Sequence, residues 1–216
     1  MPERNSGMAA PARLVLTRHG ETVWHAENRY AGRTEVDLTD VGRSQAAALA
    51  SWAGRERPDA VVSSPLGRAI ETARPSARAA GRDLVVVDAL TEVDFGVAEG
   101  ATIAELRRLD PDMVDRFRRD PVAHPFPGAE EPEIAADRSA EALRRLATEY
   151  AGDMILVVAH NTLLRLALCR LLDIPIPRYR TVFPRLDNAA LTEVSVPADG
   201  TGPVSLISLN VPPDRH

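Results

Sequence analysis

Two arginines, two histidines and one glutamate stand out by where they fall along the chain. Arg18 and His19 directly follow the apolar run Arg13–Thr17 (RLVLT). Arg68 lies just beyond a second run, Ala60–Ser63 (AVVS), and Glu92 just beyond a third, Leu84–Val87 (LVVV). His160 directly follows the strongest run, Met154–Ala159 (MILVVA). Arginine forks match the oxygens of a tetrahedral anion such as phosphate. Imidazole and carboxyl groups exchange protons near neutral pH. Taken singly, each residue has a plainer explanation. A histidine after a strand is usually a hydrogen-bonded structural group, and an arginine in a helix's first turn is usually a solvated charge. The conjunction carries the signal, because every one of these side chains sits at the end of an apolar run.

Composition removes several other chemistries. All 26 basic residues are arginine, so Schiff-base formation, a P-loop lysine and a lysine general base are excluded. A genome-wide bias toward arginine explains that count without any functional cause. The single cysteine, Cys169, excludes an internal disulfide and a multi-cysteine metal site, and it lies in an apolar run that reads as core. A net charge of −5 gives no broad basic field for nucleic acid. No stretch approaches the apolar length of a membrane span, and Met1–Pro11 lacks the apolar core of a signal peptide. The expectation is a cytoplasmic protein with no nucleic-acid or membrane partner. Residues 1–11 read as a disordered lead and 12–212 as one domain.

The elements that must position these side chains alternate in type. The apolar runs read as buried strands. Thr39 caps a helix running to Arg55, and Ser64-Pro65 starts a second that reaches about Ala80, with Pro75 expected to kink or shorten it. Thr102-Ile103-Ala104-Glu105 fits a capping box, and Pro111 opens a helix to about Arg119. Asp120–Pro132 reads as loop. Helices follow over Glu133–Ala151 and Thr162–Leu172, and Asn188–Val196 and Val204–Leu209 form a terminal hairpin. Its edge could serve a homodimer. Strands alternating with helices predict an α/β fold. It is a three-layer α/β/α sandwich, with a mostly parallel sheet, helices on both faces and a small helical or loop lid over about 97–132. Such sheets bind ligands beyond the carboxyl ends of their strands, where Arg18, His19, Arg68, Glu92 and His160 fall.

These segments resemble the histidine phosphatase superfamily, the phosphoglycerate-mutase-like fold. Leu16-Thr17-Arg18-His19-Gly20-Glu21-Thr22 looks like its signature. Ser63-Ser64-Pro65-Leu66-Gly67-Arg68-Ala69, Glu92 with Phe95-Gly96 and Glu99-Gly100, and Val157-Val158-Ala159-His160 agree in order and spacing, over roughly residues 13–172. The resemblance implies His19 as nucleophile, forming a phosphohistidine, and Glu92 as general acid and then general base. Arg18, Arg68 and His160 would hold the phosphoryl group. Its position before a helix adds free N–H groups at His160. No carboxylate cluster with metal-ligand spacing is visible, so the expected chemistry needs no metal and no cofactor.

Two positions depart from the family pattern. His25 stands where asparagine usually donates to phosphate, and Asn161 where glycine usually follows the second histidine. His25 either donates to phosphate or lines the pocket mouth; Asn161 either offers its N–H or narrows the site. Both are carried as phosphate-binding candidates. The short interval between Glu92 and His160 resembles the phosphatase branch, with Phe126-Pro127-Gly128-Ala129-Glu130 in place of its Pro-Gly-Gly-Glu stretch. The leading expectation is therefore a metal-independent phosphomonoesterase acting on a small phosphorylated metabolite. The alternatives are a phosphoglycerate-mutase-type phosphotransferase and a weakly active member that binds a phosphorylated ligand. Arg107, Arg108, Arg116, Arg118 and Arg119 of the lid segment could meet a second anionic group, or simply be solvated helix charges.

Overall fold

The computed structural model describes residues 10–216, so the first nine residues of the expected lead lie outside the described residues. Six strands form one sheet: β1 (Ala12–Arg18), β2 (Ala60–Ser63), β3 (Leu84–Val86), β4 (Met154–Ala159), β5 (Leu191–Val196) and β6 (Ser205–Val211). Their order is β3-β2-β4-β1-β5-β6. The first four pair in parallel; β5 runs antiparallel to β1, and β6 antiparallel to β5. The carboxyl ends of β1, β2, β3 and β4 therefore open on one edge of the sheet, with β4 and β1 at its centre.

The central strands are apolar throughout because both their faces are covered. Val15, Val61, Leu156 and Val158 meet Trp52 of α1 (Asp40–Glu56) and Ala69, Ala73 and Ala77 of α2 (Gly67–Ala80). Leu14, Leu16, Val62, Ile155 and Val157 face the opposite core. That core is built on α5 (Pro132–Glu149) and α6 (Asn161–Leu171). No described helix is long and apolar enough to cross a membrane.

Two helix expectations change in detail. The second helix begins at Gly67, with Leu66 as its N-cap, rather than at Ser64-Pro65. Ser64 is held outside the helix by its hydroxyl, which accepts from Leu66 N (3.3 Å) and meets His160 Nε2 (2.7 Å). Pro75 does not shorten this helix. The carbonyl that loses its donor belongs to Glu71 on the exposed face, where water can serve it, while Ala69, Ala73 and Ala77 anchor the buried face.

Between β3 and α5 the chain forms α3 (Ile103–Leu109) and α4 (Pro111–Arg119). Thr102 makes the reciprocal capping-box bonds with Glu105, at 3.1 and 2.8 Å, and Pro111 occupies the first turn of α4. This segment is fastened by aromatic packing. Phe126 stacks on Phe117 with centroids 3.8 Å apart, and both meet Tyr30 edge-on. Tyr30 belongs to the loop after β1, so the two flanks of the strand-end crevice share one apolar cluster. Removing Phe126, which is fully buried, opens a cavity at that junction. Phe126→Ala should cost about 3–5 kcal/mol, read as a lowered midpoint in urea unfolding; a loss under about 1 kcal/mol would mean that the cluster does not fasten the segment.

Candidate active site

Beyond the strand ends lies a cavity of about 290 Å³. Arg18, His19, His25, Arg68, Glu92 and Asn161 all line it. His160 is fully buried immediately behind, its ring 5.2 Å from that of His19. The residues expected at the site therefore converge.

His19 follows β1 on a turn whose backbone is pressed against α1. A β-carbon on Gly20 would lie 2.5 Å from the Gly42 carbonyl oxygen, so the residue after His19 must be glycine. The Gly20 amide donates to Thr72 Oγ1 (3.0 Å), and its carbonyl accepts from His19 Nδ1 (2.7 Å). That bond places the proton on Nδ1 and leaves Nε2 unprotonated. Burial first, then the charges of Arg18 and Arg68, hold the imidazole well below the usual histidine range.

Arg18 and Arg68 are both anchored by neutral acceptors. Arg68 donates to the carbonyls of Gly32 (2.6 Å) and Thr34 (2.8 Å). Arg18 donates to the Leu186 carbonyl (3.2 Å) and to His25 Nε2 (2.7 Å). The Nε of each is buried without a partner among the described residues. Burial lowers the Arg18 pKa to about 10, against the opposing pull of Glu92 and Asp187, and the group stays charged at neutral pH.

His25 is engaged differently from a phosphate donor. Its Nε2 faces the Arg18 guanidinium (2.7 Å), and its Nδ1 accepts from the Thr22 amide (3.0 Å) and lies 2.8 Å from the Thr22 hydroxyl. Burial and the adjacent Arg18 bring its pKa down to about 4, so it adds no positive charge near pH 7. His25 holds Arg18 from behind. His160 is engaged through Nε2 alone. The Ser64 hydroxyl lies 2.7 Å from Nε2, and Nδ1 is buried with no partner among the described residues. With Ser64 donating to Nε2, Nδ1 carries the proton and is free for a ligand.

Glu92 sits on the amino end of α6. Its Oε1 accepts from Val93 N (2.9 Å) and Leu163 N (2.9 Å), and its Oε2 from Thr162 N (3.1 Å). The bonds from Thr162 and Leu163 satisfy amides that a helix start leaves open. Oε2 has the fewer donors and so the free lone pair that could take a proton. Arg138 steadies this loop, donating to the Ala89 carbonyl (2.7 Å) and in a two-point bond to Glu130 (2.7 and 2.8 Å). Asn161, at the first position of α6, lines the cavity beside Thr162.

Sequence reasoning missed four contributors. Ser64, quoted only as part of a motif, faces His160. Glu99 accepts from the amides of Arg33 (2.8 Å) and Thr34 (3.0 Å), from the Thr34 hydroxyl (2.5 Å) and from Phe95 N (3.3 Å). It thereby fixes the loop whose carbonyls hold Arg68. Arg165 of α6 and Arg180 of α7 (Tyr179–Val182) also line the cavity, whereas none of Arg107, Arg108, Arg116, Arg118 and Arg119 does. Arg107 is instead paired with Asp115 at 2.7 Å on the surface. Only the spacing of Arg165 from Asn161, four residues or one helical turn along the same face, could have pointed to it. Among the described residues no group of three or more histidine, cysteine or acidic side chains is arranged to hold a metal ion.

The sequence profile of the histidine phosphatase superfamily (branch 1) matches residues 14–208. A bifunctional protein of Mycobacterium tuberculosis is 38% identical over 209 residues, covering 96% of this chain and 56% of that protein. A metal-independent phosphoserine phosphatase of Arabidopsis thaliana is 37% identical over 155 residues, covering 70% of this chain and 65% of that protein. The chain thus spans little more than half the length of the first of these relatives. Among solved structures, a mycobacterial glucosyl-3-phosphoglycerate phosphatase in complex with VO3 superposes with a TM-score of 0.84 at 28% identity, covering 92% of this chain and 99% of that one.

The buried imidazoles make stability depend on pH. His19 and His160 have folded pKa values below their unfolded ones, so they contribute stability fully above about pH 6.5 and lose it as pH falls. Each costs of order 1.4 kcal/mol per pH unit below that point. In phosphate-free buffer the urea midpoint should fall steadily from pH 7 to pH 5; a flat midpoint over that window would mean that the two rings protonate freely in the folded state.

Proposed function

The chain belongs to the histidine phosphatase superfamily, branch 1, and from that premise we propose that it is a phosphomonoesterase. It hydrolyses a small phosphorylated metabolite through a phosphohistidine, without a metal ion. The observation that carries this reading is the His19 Nδ1 bond to the Gly20 carbonyl at 2.7 Å, which leaves Nε2 unprotonated in a cavity flanked by two guanidiniums.

In the first step, the Nε2 lone pair attacks phosphorus as the ester P–O bond breaks. Glu92 Oε2 delivers its proton to the leaving oxygen, so an alcohol departs rather than an alkoxide. In the second, water attacks the phosphohistidine, Glu92 takes its proton, and the P–N bond breaks to release phosphate. Arg18, Arg68 and the Nδ1 proton of His160 carry the charge that spreads over the three equatorial oxygens. Asn161 adds a donor at the start of α6, and His25 keeps Arg18 aimed. The segment over 97–132 acts as the lid, fastened by Phe117 and Phe126 to the loop that carries Tyr30. Guanidiniums anchored by neutral carbonyls keep their charge for the substrate, which supports a mechanism that needs no divalent cation. The named phosphatases among the relatives support hydrolysis over phosphoryl transfer between hydroxyls.

Turnover of p-nitrophenyl phosphate in EDTA is the direct test. His19→Ala should lower it at least 1,000-fold, in keeping with loss of the nucleophile of a covalent mechanism. Retained activity in that variant removes His19 as nucleophile, and loss of wild-type activity in EDTA removes the metal-independent mechanism. Glu92→Gln should slow alkyl phosphates roughly 100-fold or more and the aryl ester far less, because nitrophenolate leaves without a proton. Equal slowing of both would assign Glu92 some other task.

A further inference from the structure

Arg165 is a buried cavity side chain that the mechanism above does not use and that finds no acceptor among the described residues. It is 8% exposed and lies on α6, one turn beyond Asn161. Its Nε is buried without a partner, and its guanidinium makes no hydrogen bond or ion pair among the described residues. Its compensation is a place over the ring of Tyr179, 5.1 Å from the centroid. Arg180 also lies over that ring and over Phe117, at 5.4 and 4.7 Å, and lines the same cavity. Stacking on aromatic rings offsets only part of the cost of burying such a charge. A cation left in this state at a cavity wall is matched by something that arrives from outside.

Charge arithmetic says what. Arg18, Arg68, Arg165 and Arg180 line the cavity with no carboxylate in ion-pair contact, whereas Arg29 is neutralised by Glu27 and Glu105. Set against Glu92, the four leave at least three positive charges for a ligand. A phosphomonoester dianion takes two of them. The guanidinium plane of Arg165 then matches a planar, singly charged group by a two-point bond. The volume of about 290 Å³ is at the small end for ligand sites, so this second group must lie close to the phosphate.

Resting on the phosphatase reading, we infer that the substrate is a small phosphorylated carboxylic acid, with Arg165, seconded by Arg180, as the subsite for its carboxylate. The phosphate enters between Arg18 and Arg68, and the carboxylate lies toward α6 and α7. Arg165 is then a specificity-determining residue: it selects the acid over the corresponding alcohol, since an uncharged group there leaves the buried guanidinium unpaired.

Binding to the His19→Ala protein tests this separately from turnover. Calorimetric titration compares 3-phosphoglycerate with glycerol 3-phosphate, which differ in carrying a carboxylate or a hydroxymethyl group, and includes inorganic phosphate. The acid should bind about ten-fold or more tightly than the alcohol, and Arg165→Met should bring the two within about two-fold. Arg180→Gln, at a half-buried position that tolerates change, should lower the same ratio by about three-fold. Equal affinities in the parent protein overturn the inference, as does a preference that survives Arg165→Met. A fall in inorganic phosphate affinity as large as the fall for the acid also overturns it, because the guanidinium would then be serving the phosphate. Failure of the phosphatase reading is recognised elsewhere, in p-nitrophenyl phosphate turnover that persists in the His19→Ala protein.

Discussion

Positive charge gathered beyond the strand ends and held there by neutral partners is the constraint around which the molecule is arranged. Arg68 is gripped by two carbonyls, and Arg18 by one carbonyl and an imidazole that stays unprotonated. Carboxylates would have made a more comfortable anchor, and they would have spent the charge. The loop over residues 31–34 looks irregular until its carbonyls are seen as that anchor. Glu99 is its rivet, taking three backbone amides and a hydroxyl, and its side chain occupies the space that a β-carbon on Gly32 would need. A negative charge is thus used to fix the backbone that holds Arg68, one step removed from the guanidinium itself.

The same cluster sets the state of the two imidazoles. Crowding and desolvation keep His19 and His160 neutral, but neutrality alone leaves each ring with two tautomers. Different partners choose between them. A backbone carbonyl fixes the proton of His19 on Nδ1, and the Ser64 hydroxyl on Nε2 leaves the proton of His160 on Nδ1. One ring is thereby left with a bare nitrogen and the other with a bare donor. Glu92 completes the set because α6 begins where β4 ends: the carboxylate that takes the open amides of that helix is brought beside His160 by the turn that carries it.

Much of this was legible in the sequence because it follows from local pattern. Continuous apolar runs mark strands covered on both faces, and the polar residues after them are placed by the rule for such sheets. The capping box at Thr102 and the proline at Pro111 declare their helices without help from the rest of the chain. What escaped depends on contacts between distant segments. Glu99 is an ordinary acidic residue until the loop at 31–34 folds against it. His25 has the composition of a phosphate donor, and only the approach of Arg18 turns its nitrogen into an acceptor. Pro75 is tolerated because the carbonyl it deprives faces water, which depends on which side of α2 is buried. The arginines of α3 and α4 look better placed to meet a substrate than Arg165, since a charge within the apolar run Thr162–Leu172 gives no sign of which way it points.

Arg165 differs in kind from Arg18 and Arg68, and the difference orders the site. Arg18 and Arg68 are held by acceptors that fix their aim before any ligand arrives, as preorganised charge stabilisation requires. Their geometry serves the step in which charge moves. Arg165 has the Tyr179 ring for support and no acceptor among the described residues, so its fork is free to turn toward whatever occupies the far end of the cavity. That latitude would be harmful at the reacting phosphoryl group, where small misplacements are costly. It suits the recognition of a part of the substrate that does not react. The fold thus spends its hydrogen bonds on the guanidiniums beside His19 and leaves the one along α6 to be satisfied by the ligand.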